Sequence, residues 1–219
     1  MSWSGLYGIA DSSFPDPRSQ ALLLLEEGAC AVQLRCKEWP EQELEAMAMS
    51  LIEEFRKSKV PLILNDVFLP HCSDGCHLGQ ADGTFLREKA PAAFIWGRST
   101  HNILQLSAAK KEGATYAGFG PIFDTSTKQN LAPRVGLCAL REAMALGLPL
   151  VAIGGITPQN VGDVGHTGAS MWTAIGAIWN TPTPRQSLRD LSESFDLQRA
   201  RHPQAESQIP DRLDDESDD

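Results

Sequence analysis

No apolar run in this 219-residue sequence is long enough to cross a bilayer. Basic residues are scarce beside acidic ones: 19 Lys and Arg stand against 28 Asp and Glu, a net charge of −9. That balance argues against a general binder of nucleic acid or of anionic membrane, either of which needs a basic face. No basic-then-apolar leader pattern precedes the first structured segment; "MSWSGLYGIAD" already reads as a strand. Cysteines are few and lack a metal-binding pattern. Cys30, Cys36, Cys72, Cys76 and Cys138 form an odd set with no CxxC pair. The expectation is a cytoplasmic protein with reduced thiols. Cys72 and Cys76 lie near His71 and His77, but a structural zinc wants four convergent ligands, and the two histidines would point differently. Internal repeats and a composition break that would mark a second domain are also missing.

What is present is alternation. Short apolar runs rich in β-forming residues fall at 6–10, 31–34, 62–64, 76–78, 94–96, 116–119, 150–153 and 171–175. Helical patterns lie between most of them. "DPRSQALLLLEEG" has Pro near its start and Gly at its end. "EQELEAMAMSLIEEFRKSK" repeats apolar residues at helical spacing, with acids early and bases late. "NILQLSAAKKEG" and "GLCALREAMALG" also end in Gly, and "TPQNVGDVGHTG" and "TPRQSLRDLSESF" open further helices. Eight strands alternating with helices imply parallel pairing with right-handed crossovers. In this length a (β/α)8 barrel fits better than an open doubly wound sheet. The third helix, between Asp66 and Cys76, has room only for a turn. One domain over residues 1–197 is expected. The remainder, 198–219, ends in "QAESQIPDRLDDESDD", which has no aromatic residue and many acids, the composition of a disordered tail.

Barrel enzymes place their chemistry at the C-terminal ends of the strands. Asp66 ends the third run in "LILND", and Asp82 follows the fourth in "CHLGQAD". Neighbouring strands would bring the two carboxylates to one spot, where they repel unless a proton or cation sits between them. Each acid could separately cap a turn, but the pair favours a hard cation such as Mg2+, which needs only one or two carboxylates when phosphate and water complete its shell. In "QLRCK" the alternate residues Gln33, Arg35 and Lys37 share one direction. The two cations would hold an anion there or pair with the acids. Ser99 lies in "WGRSTH" after the fifth strand, and Thr125, Thr127 and Lys128 lie in "GPIFDTSTKQN" after the sixth; hydroxyls and an ammonium suit phosphate. The loops after strands seven and eight are the usual phosphate site of such barrels. Here they read "AIGGIT" and "TAIGAI", whose Gly154, Gly155 and Gly176 let backbone N–H groups approach an anion.

The ordered motifs "QLRCK", "LILND", "CHLGQAD", "WGRSTH", "GPIFDTSTK" and "AIGGIT" resemble those of the thiamine-phosphate synthase family, over nearly the whole chain except the C-terminal tail. The resemblance implies a TIM barrel that joins 4-amino-2-methyl-5-(diphosphooxymethyl)pyrimidine to a thiazole phosphate, giving thiamine monophosphate and pyrophosphate. It implies that Gln33 and Asn65 contact the pyrimidine. Arg35, Lys37, Ser99 and Lys128 would hold the diphosphate, with Asp66 and Asp82 on a Mg2+ cofactor. Thr125, Thr127, Gly155, Ile175 and Gly176 would line the thiazole-phosphate site. The expected partners are these small molecules, with no nucleic acid and no membrane. Three departures stand out: the family usually has Ser where this chain has Gly176, the third helix is shortened by a few residues between Asp66 and Asp74, and "SMWTAI" is bulkier and more polar than the small apolar strand expected there. The nearest rival is a thiazole tautomerase on the same barrel, which would carry a catalytic His where this chain has Pro121. A non-catalytic paralogue that binds a thiazole phosphate is the other alternative.

Overall fold

Eight parallel strands close on themselves in sequence order, each hydrogen-bonded to the next and β1 to β8. The computed structural model describes residues 3–125 and 133–201. The strands are β1 Gly5–Asp11, β2 Ala31–Arg35, β3 Leu62–Asn65, β4 Gly75–Leu78, β5 Ile95–Thr100, β6 Tyr116–Phe119, β7 Leu150–Ile153 and β8 Met171–Thr173. The helices are α1 Pro17–Glu26, α2 Glu41–Lys57, α3 Ile103–Lys111, α4 Gly136–Met144, α5 Val161–His166, α6 Gly176–Trp179 and α7 Pro184–Arg199. This is the (β/α)8 barrel expected from the alternation.

Both faces of each strand are buried, as they must be where helices cover a barrel. Outward residues such as Val32, Leu34, Leu62, Leu64 and Trp172 meet the helices in one continuous core. Tyr7, Ile9, Ala31, Tyr116, Val151 and Met171 form a separate inner cluster. The helices follow local rules. Asp16 caps α1 by accepting from the Ser19 N–H, with Pro17 in the first turn. In α2, Leu44, Met47, Ala48, Leu51, Ile52 and Phe55 form the buried stripe.

One side of the barrel departs from the ideal. Among the described residues no helix joins β3 to β4, as the short spacing requires, and β4 reaches β5 through a loop with only a 3-10 turn at Arg87–Lys89. Aromatic rings fill the space. Phe68 stacks on Trp96 at 5.4 Å between centroids, and Phe85 and Phe94 pack against the same indole at 5.0 and 5.1 Å.

Three boundaries near the site and the domain end differ from the sequence reading. β5 extends to Thr100, so Ser99 lies within the strand rather than after it. β8 stops at Thr173, and the short helix α6 follows where the strand was expected to continue to Ile175. α7 continues to Arg199, past the expected domain end at 197. Of the expected tail, 198–219, the residues from 202 onward lie outside the described residues. No helix among the described residues is long and apolar enough to cross a membrane.

Candidate active site

A cavity of about 760 Å³ opens among the strand ends and descends into the barrel. Its floor holds both of the chain's tyrosines, Tyr7 and Tyr116, whose hydroxyls lie 2.5 Å apart. From this pair a hydrogen-bonded chain runs both ways. On one side Tyr7 donates to Gln33 Oε1 at 3.4 Å, and Gln33 Nε2 donates to Asn65 Oδ1 at 2.7 Å. On the other, His77 Nδ1 lies 2.9 Å from the Tyr116 hydroxyl and His77 Nε2 lies 2.9 Å from Ser99 Oγ. Burial pushes both phenols far above their usual range, so they stay neutral and act as hydrogen-bonding groups. Gly97 makes room for this stack. A Cβ there would lie 2.3 Å from Tyr116 and 2.5 Å from His77.

Charged residues occupy the rim. Arg35 Nη1 meets Asp11 Oδ2 at 2.5 Å, and the Ser13 N–H and hydroxyl donate to the other oxygen of that nearly inaccessible carboxylate. Lys37 Nζ lies 3.7 Å from Asp66 Oδ2. The salt-bridge alternative for these two cations is therefore realised in the free protein, and Arg35 finds its acid on β1, which the sequence reading did not single out.

Asp66 and Asp82 do converge. Burial first, and then the neighbouring Asp82 carboxyl, raise the Asp66 carboxyl above its usual range, while Lys37 opposes the rise. The Asp66 backbone adopts φ 63°, left-handed for a residue with a side chain. Asp82 Oδ2 accepts from the Gly79 N–H at 2.7 Å, so it also caps its own turn. Two carboxyls that repel, one of them partly buried, form an all-oxygen donor set that fits a Mg2+ ion bringing its own anionic ligand. Arg98 braces the loop that carries Asp82. Its guanidinium donates to Gly79 O at 2.7 Å, Gly83 O at 2.8 Å and Glu112 Oε2 at 3.0 Å, and it stacks 4.7 Å from the Phe85 ring.

The opposite wall is built by the loops after β6, β7 and β8. Gly155 has φ 64°, and a Cβ there would strike Asp124 O at 2.3 Å. Asn160 fixes this turn by accepting from the Thr157 N–H at 2.8 Å and donating to Gly155 O at 2.9 Å. Ile175 precedes α6 and Gly176 begins it.

Of the expected site residues, Gln33, Ser99, Thr125, Gly155, Ile175 and Gly176 line this single cavity. Asn65 joins it through Gln33. Arg35, Lys37, Asp66 and Asp82 stand on the rim, outside the cavity lining. Thr127 and Lys128 lie outside the described residues. The sequence reading missed Tyr7, Tyr116, Asp11 and Arg98, and weighed His77 only as a zinc ligand. A signal existed for the tyrosines, because a phenol on a strand buried on both faces must find a hydroxyl partner. The zinc alternative finds no support: among the described residues no cluster of three or more His, Cys, Asp or Glu could hold a metal. His71 contacts Glu45 on the surface, whereas His77 faces the interior. Cys36 packs between barrel and helices, and burial pushes its thiol up to about 11 despite the adjacent Arg35.

Comparison with known proteins places the chain in a family. The family model described as thiamine monophosphate synthase matches residues 6–178. The chain is 37% identical over 175 residues to the thiamine-phosphate synthase of Roseiflexus castenholzii, covering 77% of each. It is 35% identical over 199 residues to that of Methylobacillus flagellatus, covering 87% of this chain and 95% of that one. Among solved structures, thiamine phosphate pyrophosphorylase from Pyrococcus furiosus superposes with a TM-score of 0.80 at 28% identity, over 90% of this chain and 98% of the other. By a family model that spans the barrel from β1 to α6, and by relatives that share its length, this chain belongs to the thiamine monophosphate synthase family.

Proposed function

We propose that the chain is a Mg2+-dependent thiamine-phosphate synthase, a transferase that releases pyrophosphate. The observation that carries this reading is the pairing of Asp66 with Asp82 on the rim of a cavity whose far wall is the Gly154–Gly155 turn. One end suits a metal-bound diphosphate, the other a monophosphate.

The reaction breaks the CH2–O bond of the pyrimidine diphosphate, and the bonding pair leaves with pyrophosphate. The electron-rich aminopyrimidine stabilises the resulting CH2 cation. The thiazole nitrogen then donates its lone pair to that carbon, and the positive charge ends on the thiazolium. No proton has to move, so the residues orient and neutralise rather than act as strong acids or bases. Gln33, held by Asn65 and Tyr7, presents its amide to the pyrimidine. Ser99, oriented by His77, donates to the diphosphate, and Arg35 and Lys37 add positive charge once they exchange their carboxylate partners for it. Lys128, Thr125 and Thr127 are assigned to phosphate on the family resemblance. A Mg2+ ion held by Asp66 and Asp82 would neutralise charge building on the departing diphosphate. Pro121 stands where the tautomerase would need its histidine, which favours the synthase.

The test is pyrophosphate release from purified protein with both substrates and Mg2+, beside an EDTA control. Release that requires both substrates and the metal, with thiamine monophosphate identified by mass, is expected. A folded protein that binds the thiazole phosphate without turnover would instead support the non-catalytic paralogue.

A further inference from the structure

Thr173 ends β8 and is almost fully buried, yet its hydroxyl has no hydrogen-bond partner among the described residues. Strand alternation sets its direction. Met171 belongs to the inner cluster and Trp172 to the outer core, so Thr173 faces inward, where it lines the cavity. Its register partner on β7 is Ile153, immediately before the Gly154–Gly155 turn. The nearby inward phenol of Tyr7 is already committed to Tyr116 and Gln33.

A buried hydroxyl without a partner is rare and costs free energy that a valine of the same shape would not. Valine would also suit the strand. The hydroxyl therefore implies a partner absent from the free chain. The sequence narrows its identity. Three residues further on, Gly176 removes a hydroxyl that the family usually supplies to the thiazole phosphate, and Thr173 adds one to the same cavity wall. Gln33, assigned to the pyrimidine, lies two strands away, beyond β1. Gly154, Gly155, Ile175 and Gly176 share the wall of Thr173.

We propose that Thr173 is a specificity-determining residue whose hydroxyl hydrogen-bonds the bound thiazole phosphate and supplies the contact that Gly176 lacks. The assignment rests on reading this wall as the thiazole-phosphate site.

Titration calorimetry with thiazole phosphate, on the wild type and on Thr173→Val and Thr173→Ser, tests it alongside ligand-free thermal melts. Thr173→Val should bind the thiazole phosphate about tenfold more weakly. It should also melt higher, by about 2–4 °C, because an unsatisfied buried group has been removed. Thr173→Ser keeps the hydroxyl and should keep the affinity, and the KM for the pyrimidine diphosphate should be unchanged in both. Equal affinity in wild type and Thr173→Val would overturn the proposal. A lower melting temperature for Thr173→Val with unchanged affinity would do so too, because it would show the hydroxyl already satisfied without ligand. Wild-type protein that binds no thiazole phosphate would overturn the reading of the wall itself, and this assignment with it.

Discussion

At Asp66 the demands of stability and of chemistry oppose each other. Its carboxyl is partly buried beside a second carboxyl, on a residue with left-handed backbone. Asp66→Asn removes the repulsion and the buried charge while keeping the side chain's size. Its melting temperature should rise, and Mg2+-dependent pyrophosphate release should fall by at least about 100-fold. Activity near the wild-type value would remove Asp66 from the metal site. Gly176 is the converse case, a position that lacks the hydroxyl usual in the family. Its φ is not in the left-handed range, so a side chain fits the backbone. Gly176→Ser should tighten thiazole-phosphate binding several-fold in calorimetry by adding a donor at the start of α6. At this scale the sequence was most legible where a residue is unusual for its place. Acids ending apolar strands could be read directly. The interior chain through Tyr7, Tyr116 and His77 was legible only in part: a buried phenol signals that it needs a partner, but barrel strands are buried on both faces and nothing in such a run marks which side chain points inward.

Among the elements, the irregular β4–β5 connection matters most. A helix would ordinarily cover this side; here an aromatic cluster and one buried arginine do so. Arg98 holds the carbonyls on both sides of the Asp82 turn, so that turn's position depends on it. Arg98→Met retains much of the bulk and loses every hydrogen bond. We expect about 2 kcal/mol of destabilisation in urea titration, together with a higher Mg2+ concentration for half-maximal turnover. A loss of stability with an unchanged Mg2+ requirement would make Arg98 a purely structural brace. Element order was well marked in the sequence, since Pro and Gly punctuate α1, α3 and α4 and the period of α2 is clear. Element ends were not. β5 gains Arg98, Ser99 and Thr100, polar residues that look like loop in isolation and are held in the strand by pairing with β4 and β6. α6 was hidden because four residues carry no readable period.

Over the whole molecule, closing the barrel brings the last helix back to the first. Glu27, just past α1, accepts a two-pronged contact from Arg189 on α7 at 2.8 and 3.0 Å, and Arg185 bridges Glu26 and Glu27. Arg189, followed by Arg185, holds the Glu27 carboxyl below its ordinary value of 4.5. A depressed carboxyl stabilises the fold above its unfolded value and loses that contribution as pH falls through the folded one. Glu27→Gln should therefore melt lower than wild type at neutral pH, and the difference should close as the pH drops below 4.5. A difference that persists in acid would mean that the contact acts through packing rather than charge.

The paired rim also affects how substrate arrives. In the proposed reaction Arg35 and Lys37 would meet an incoming diphosphate already paired with Asp11 and Asp66, on a protein of net charge −9. Capture is then an exchange of ion partners at contact rather than attraction from a distance. Enzymes that steer anions with bare lysines associate more slowly as salt shortens the Debye length, which is about 8 Å at physiological ionic strength. For this chain the association rate should stay level or rise with added salt, because screening relieves the repulsion from its acidic surface before it weakens any pull.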